Sequence, residues 1–191
     1  MIQLAIDPST KSLAYSIMDT SLTIGYDITK YGLMRIDDNG EFGNIDRGGK
    51  HARKQMHLSD KLLIAYNHCN GLINQYLPDV IALEDQFFSL KTPTVKDIIR
   101  VSGVIILAAK QHGVPVVMYP PPDIKKAVAK NGAAAKEDVA KAVSDIYQND
   151  DYVSLLVFSD KQTKAHDKTD DIFDSIAINL THRFTRNGTQ I

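Results

Sequence analysis

The chain has 191 residues, with 22 lysines and arginines against 23 aspartates and glutamates, for a formal net charge of −1. That length suits one domain, and 43% hydrophobic with 24% charged residues is ordinary for a globular protein rather than a disordered one. A single cysteine, Cys69, excludes an internal disulfide framework. No apolar run approaches the roughly 18 residues of a membrane span, and Met1–Asp7 lacks the basic opening of a signal peptide, so the chain reads as cytoplasmic.

Ile2, Leu4 and Ile6 alternate with Gln3, Ala5 and Asp7, which predicts a strand ending on an acid. Pro8 to Ser12 is turn chemistry, and Leu13–Met18 reads as a second strand, antiparallel to the first. Thr29–Ile36 is a third, closed by Asp37-Asp38-Asn39-Gly40. Residues 39–52 read as a loop. Leu62, Tyr66, Cys69, Ile73 and Leu77 then recur every three or four residues, the stripe of a helix that Pro78 stops. Val80–Leu83 is a short apolar run, expected of a strand buried on both faces, and it too meets an acid, Glu84.

Thr94 caps a predicted long helix reaching His112, with Gly113 as its stop. Val114–Tyr119 is the next strand. Pro120-Pro121-Pro122 opens a short helix that Asn131-Gly132 interrupts before a second helix over about 135–148. Residues 149–168 have an apolar middle, Val153–Phe158, that fits no class. Thr169 caps a last helix with a stripe of Ile172, Ile176, Leu180 and Phe184. Three antiparallel strands followed by crossover units predict a five-stranded mixed α/β sheet with helices on both faces.

Four acids stand out. Asp7 and Glu84 end strands, while Asp171 and Asp174 sit three apart on the last helix and share a face. An acid at the end of a buried strand is costly unless it is paired or holds a cation. Carboxylates that converge without basic partners suit Mg²⁺ or Mn²⁺, hard ions that prefer oxygen, and two such ions can serve phosphodiester cleavage. Each acid alone has a plainer reading: Asp7 as a turn residue, Glu84 as a solvated strand end, Asp171 as favourable charge at a helix start, Asp174 as solvated surface. The combination carries the case.

Ile6-Asp7-Pro8-Ser9-Thr10-Lys11-Ser12-Leu13-Ala14-Tyr15 resembles the opening of the RuvC-type Holliday junction resolvases, of the RNase H-like (integrase) superfamily. Ala82–Phe88 resembles their second motif, Pro122–Val128 and Ala134–Val139 their basic segment, and Asp171–His182 their last helix. The four motifs stand in order from residue 2 to residue 184. The resemblance implies one RNase H-like nuclease domain over 1–191, with Asp7, Glu84, Asp171 and Asp174 binding two Mg²⁺ (or Mn²⁺) ions. It implies Phe87 near the junction crossover, stacking on a base, and Lys125 and Lys136 near the scissile phosphate. Read without it, Phe87 could be core and both lysines solvated helix residues. It further implies paired hydrolytic nicks in branched DNA, above all four-way junctions, leaving 5′-phosphate and 3′-hydroxyl ends. Paired nicks imply a homodimer with twofold symmetry, and Ile98, Ile99, Ile105 and Ile106 of the long helix are its expected interface.

This sequence departs from the family's pattern. Ser9 stands where the family usually has Gly, the interval from Asp7 to Glu84 is long, and 149–168 looks like an insertion. These point to a divergent, phage-encoded member and put in question the partnership with RuvA–RuvB and the cleavage-site preference. Three alternatives have different consequences: a flap, fork or RNA–DNA hybrid nuclease on the same fold, an actin-like nucleotide-binding phosphotransferase, or a non-catalytic DNA-binding module. The phosphotransferase needs Gly-rich phosphate loops that do not follow Asp7, and a decayed module would not keep all four acids. His51, His57 and His68 lack a ligand spacing for zinc, Cys69 reads as core and His182 as a helix-end residue. The near-zero net charge hides an uneven distribution: Arg47–Lys141 carries 14 basic against 8 acidic residues. A basic central stretch for phosphates, with acids kept for metal, predicts DNA binding that weakens with salt.

Overall fold

A computed structural model describes residues 1–36, 56–85, 93–150 and 169–186. β1 (Ile2–Pro8), β2 (Ser12–Asp19) and β3 (Ile28–Arg35) form the antiparallel meander that the alternation predicts. Ser9 makes the β1–β2 turn: its Oγ accepts the backbone N–H of Ser12 at 3.0 Å and of Lys11 at 3.2 Å. β4 (Val80–Glu84) pairs parallel to β1, and β5 (Val116–Tyr119) parallel to β4. The sheet order is β3-β2-β1-β4-β5, so β1 lies at the centre. β5 begins two residues later than expected, because Val114 and Pro115 complete the turn out of the preceding helix and Pro115 contributes only its carbonyl, to the Ile81 N–H.

Among the described residues, five helices flank the sheet: α1 (Leu58–Tyr76), α2 (Pro93–Gln111), α3 (Pro121–Ala129), α4 (Lys136–Ile146) and α5 (Thr169–Arg186). α1 and α2 cover one face. Ala65, Cys69, Leu72 and Ile73 of α1 and Val101, Ile105, Ala108 and Ala109 of α2 pack on Leu4, Ile6, Leu13, Ile17, Ile81 and Leu83. Cys69 is core as expected, and burial pushes its thiol up to about 12. Leu77 leaves the expected stripe. It is the left-handed C-cap of α1, 76% exposed, because Pro78 cannot continue the helix. None of the described helices is long and apolar enough to cross a membrane.

α3, α4 and α5 cover the other face. Lys130 ends α3 in the left-handed region and Asn131 Oδ1 accepts the Ala133 N–H, which gives the expected break before α4. Asp138 reaches back to the Ala135 N–H at 3.1 Å and fixes the start of α4. α5 differs from its expected form. It is not a surface helix with one apolar stripe: between Ile172 and Arg183 every residue except Asp174 is buried, since the sheet lies on one side and α3 and α4 on the other. Several of its polar groups find partners inside the molecule, while Asn179 Oδ1, His182 Nε2 and Arg183 Nε are buried without one among the described residues. Asn179 Nδ2 donates to the backbone O and to Oγ of Ser16, both at 2.9 Å, and the Ser175 and Thr181 hydroxyls donate to carbonyls of α5 itself. His182 is likewise not an exposed helix end; it is buried, with Nδ1 2.6 Å from the Tyr119 hydroxyl.

α2 carries mixed surfaces. Ile105, expected at an interface between subunits, is fully buried in the core, and Ile98 faces the acidic cleft described below. Ile99, Ile106 and Leu107 are exposed at 39%, 36% and 52%.

Candidate active site

The central strand and its parallel neighbour bring the first two acids together. The β1–β4 register runs from Gln3 opposite Val80 to Ile6 opposite Leu83, so Asp7 follows beside Glu84 on the same face. That face is lined with small side chains. Ala5 and Ala82 are cross-strand neighbours, Ala14 pairs with Asp7, and all three are buried in the core that α5 completes. Small residues beneath a helix let its backbone come close to the sheet. The short side chains of Asp171 and Asp174, in the first turns of α5, can therefore reach Asp7.

Carboxylate oxygens of Asp7, Asp171 and Asp174 lie within 4.8 Å of one another. Glu84 is outside this tight set but lines the same cleft as Asp7 and Asp174, and its charge acts on Asp7. The cleft has a volume of about 360 Å³, with Lys125 and Lys136 on its wall beside Ile98, Ile124, Val139 and Ile178. Lys136 Nζ approaches Asp174 Oδ2 at 3.3 Å. The expectation of acids without a basic partner is thus corrected: α4 starts where its first residue reaches across to α5. Phe87 lies outside the described residues.

Burial raises the Asp7 carboxyl well above its usual range, and the negative charges of Asp174, Glu84 and Asp171 raise it further, with Lys136 opposing. Lys136 responds in the other direction. Desolvation pulls its ammonium down, but Asp174, by charge and hydrogen bond, and then Asp171 and Asp7 outweigh that and raise it. A strand-end acid held among three other acids is a site whose electrostatics ask for a cation. The donors are all hard carboxylate oxygens, and the close grouping of three of them fits a divalent ion that prefers oxygen. No nitrogen or sulfur donor joins the described cluster, which disfavours zinc.

Ser9 contributes what the sequence pattern left unassigned. It lines the acidic cleft, and its φ is not positive: the non-glycine residues with positive φ, among those described, are Leu77 and Lys130. A glycine is therefore not required there, and the hydroxyl that closes the turn holds the segment following Asp7. The signal was a serine three residues before Ser12 in a turn, the pattern of a side chain capping backbone N–H groups.

The family model of "Crossover junction endodeoxyribonuclease RuvC" matches residues 3–182, which includes all four acids and both lysines. The chain belongs to the RuvC family. A RuvC of Pseudothermotoga lettingae is 30% identical over 166 residues, covering 87% of this chain and 93% of that protein. The RuvC of Ruminiclostridium cellulolyticum is 30% identical over 83% of this chain and 86% of its own length. Among solved structures, Thermus thermophilus RuvC in complex with a Holliday junction substrate superposes with a TM-score of 0.70 at 22% identity, covering 99% of this chain and 97% of that one. That likeness establishes the RNase H-like fold expected from the sequence. The RuvC match does not favour a flap, fork or hybrid nuclease, or a phosphotransferase, and a phage origin finds no support in these relatives.

Proposed function

We propose that this RuvC-family chain resolves four-way DNA junctions by metal-dependent hydrolysis, with Asp7, Glu84, Asp171 and Asp174 as the metal-binding and catalytic residues. The observation that carries the reading is the convergence of Asp7, Asp171 and Asp174 from β1 and α5 in a cleft that also holds Glu84, Lys125 and Lys136. When bound, Mg²⁺, or Mn²⁺ in its place, supplies Lewis acidity to the phosphate and to the attacking water; four carboxylates are enough to hold two ions.

The chain's own residues do the rest. The sheet holds Asp7 and Glu84 rigidly, and α5 holds the other two acids, so the donors keep their places as a substrate enters. Lys125 and Lys136 offer ammonium groups to the phosphodiester. Lys136 is shared with Asp174 and can turn toward a phosphate without leaving the cleft. Ile98, Ile124, Val139 and Ile178 supply apolar walls that strengthen these charges by limiting water. Phe87 is assigned to stacking on a base near the crossover by its place in the motif. Cutting leaves 5′-phosphate and 3′-hydroxyl ends, in the cytoplasm, within a single nuclease domain.

Two matched nicks need two sites related by a twofold axis, so the working unit is a homodimer. The exposed Ile99, Ile106 and Leu107 of α2 are the surface for it. The test incubates the protein with a synthetic four-way junction and Mg²⁺. Wild type is expected to give paired nicks, and Asp7→Asn or Glu84→Gln to lose about 10²-fold or more, the scale on which a single electrostatic group in a site is felt. Uncut strands with wild type, or undiminished cutting by either variant, refute the assignment. Active cutting by a species that sediments only as a monomer refutes the dimer.

A further inference from the structure

A second cavity, of about 320 Å³, lies on the other side of the turn that follows Asp7. Pro8 and Ser9 line the acidic cleft, whereas Thr10, the next residue, lines this cavity. α2 divides in the same way: Ile98 faces the acids, and Asp97 and Val101 face the second cavity. The two spaces are therefore neighbours across one thin wall of turn and helix. The rest of the described lining comes from the start of α1 and the two residues before it: Met56, His57, Leu58 and Lys61.

The charges of this cavity favour an anion. Lys61 is half-buried, and its Nζ donates to the Thr10 carbonyl at 3.4 Å, a long hydrogen bond that uses one of the three donors of an ammonium. His57 Nδ1 accepts the Ser59 N–H, which leaves Nε2 of this lining residue as the protonated nitrogen of the neutral ring. Asp97 is the one acid of the lining among the described residues, and Arg100 holds its carboxylate at 2.7 Å and offsets its charge. Among the described residues the set is cationic and polar, with apolar contact from Met56, Leu58 and Val101, and it holds no converging carboxylates of the kind that bind a metal.

We propose that this cavity receives a backbone phosphate of the DNA strand whose neighbouring phosphate enters the acidic cleft, with Lys61 as its principal counter-charge. The inference rests on the reading that the acidic cleft takes a DNA strand. A strand leaving that cleft across the Pro8–Thr10 turn presents its next phosphates to this side of the wall, and phosphate contacts of this kind set the register of a nucleic acid without reading its sequence. Anchoring the strand on both sides of Asp7 would fix which phosphodiester faces the acids.

The experiment measures binding of a labelled four-way junction to the full-length chain in chelator, where no cutting occurs, over a series of salt concentrations. Lys61→Ala is expected to weaken binding at low salt and to make the slope of log K against log salt shallower by about 1, the signature of one lost phosphate contact. Lys61→Arg is expected to keep the wild-type slope. An unchanged slope in Lys61→Ala overturns the proposal. So does a loss of turnover at saturating junction with binding and slope intact, because Lys61 would then only brace Thr10. Cutting is read separately in Mg²⁺. A wild type that binds the junction but does not cut it refutes the cleavage reading, while the slope still decides the role of Lys61.

Discussion

The two ends of α5 treat an aspartate of the sheet side in opposite ways. Toward its C-terminus, Arg183 reaches Asp27, which is fully buried. The Asp27 carboxylate accepts from the guanidinium and from the Tyr147 hydroxyl at 2.7 Å, and Arg183 also donates to the Leu22 carbonyl at 2.8 Å. Burial, and then the Asp27 charge, hold the Tyr147 hydroxyl far above its usual range, so it remains a donor. Toward the N-terminus, Asp171 and Asp174 bring more negative charge to Asp7, and Lys136 on the rim opposes them. One end is neutralised by the chain itself and ties the β2–β3 hairpin, α4 and α5 together. The other is assembled with like charges held close, an arrangement that favours a bound cation. Burial of an acid is thus not the mark of a site; the sign of what surrounds it is.

The largest effect should come from breaking the matched end. Arg183→Met leaves Asp27 charged and buried without its cation, which is expected to cost about 3–5 kcal/mol of stability. Urea unfolding measures it. The double variant Asp27→Asn with Arg183→Met should recover much of that loss, since removing both partners of a buried pair is far cheaper than removing one. A single-variant loss below about 1 kcal/mol, the scale of a surface pair, would mean that this end is not the tie described.

A smaller effect should come from the rim of the other end. Lys136→Ala removes a cation that faces both Asp174 and the cleft. Its side chain is 64% exposed, so its contribution to folding is small. The loss should instead appear in cleavage of a four-way junction, by roughly tenfold, or about 1.4 kcal/mol of transition-state stabilisation. Unaltered cutting by this variant would make Lys136 a solvated helix residue.

These two ends also mark what could be read from the sequence. Asp7 and Glu84 were legible because each closes an alternating or apolar run, and Asp171 and Asp174 because a spacing of three places them on one face. The parallel register that sets Asp7 beside Glu84 follows from ordinary crossover topology. The burial of α5 was not legible. Asn179, His182 and Arg183 look like a solvated end, and their partners Ser16, Tyr119 and Asp27 are between 63 and 163 residues away in the chain. The ion pair of Lys136 with Asp174 spans 38 residues and was hidden for the same reason. Periodicity reports which faces are apolar; it does not report a polar face that distant chain covers and bonds. Ile105 was misplaced on related grounds: a run of isoleucines shows that a helix is apolar, not which of them meet the sheet.

The smallest effect, and the one that distinguishes the two ends most sharply, is on stability at the acid cluster. The Asp7 carboxyl is raised in the folded chain above its ordinary 3.8. Between those two values the folded state binds more protons than the unfolded state, so without metal the stabilising contribution is present below the ordinary value and is lost as pH rises through the raised one. Asp7→Asn removes that charge. In chelator at neutral pH it is therefore expected to raise the melting temperature, and the gain should vanish as pH falls toward 4. Added Mg²⁺ should reverse the order, because an ion that binds only the folded state stabilises wild type and has lost a ligand in the variant. A thermal scan of both proteins, with and without Mg²⁺, at neutral and acid pH, reads all of this. Equal melting temperatures in every condition would mean that the other acids place no electrostatic load on Asp7, and the contrast between the two ends would fail.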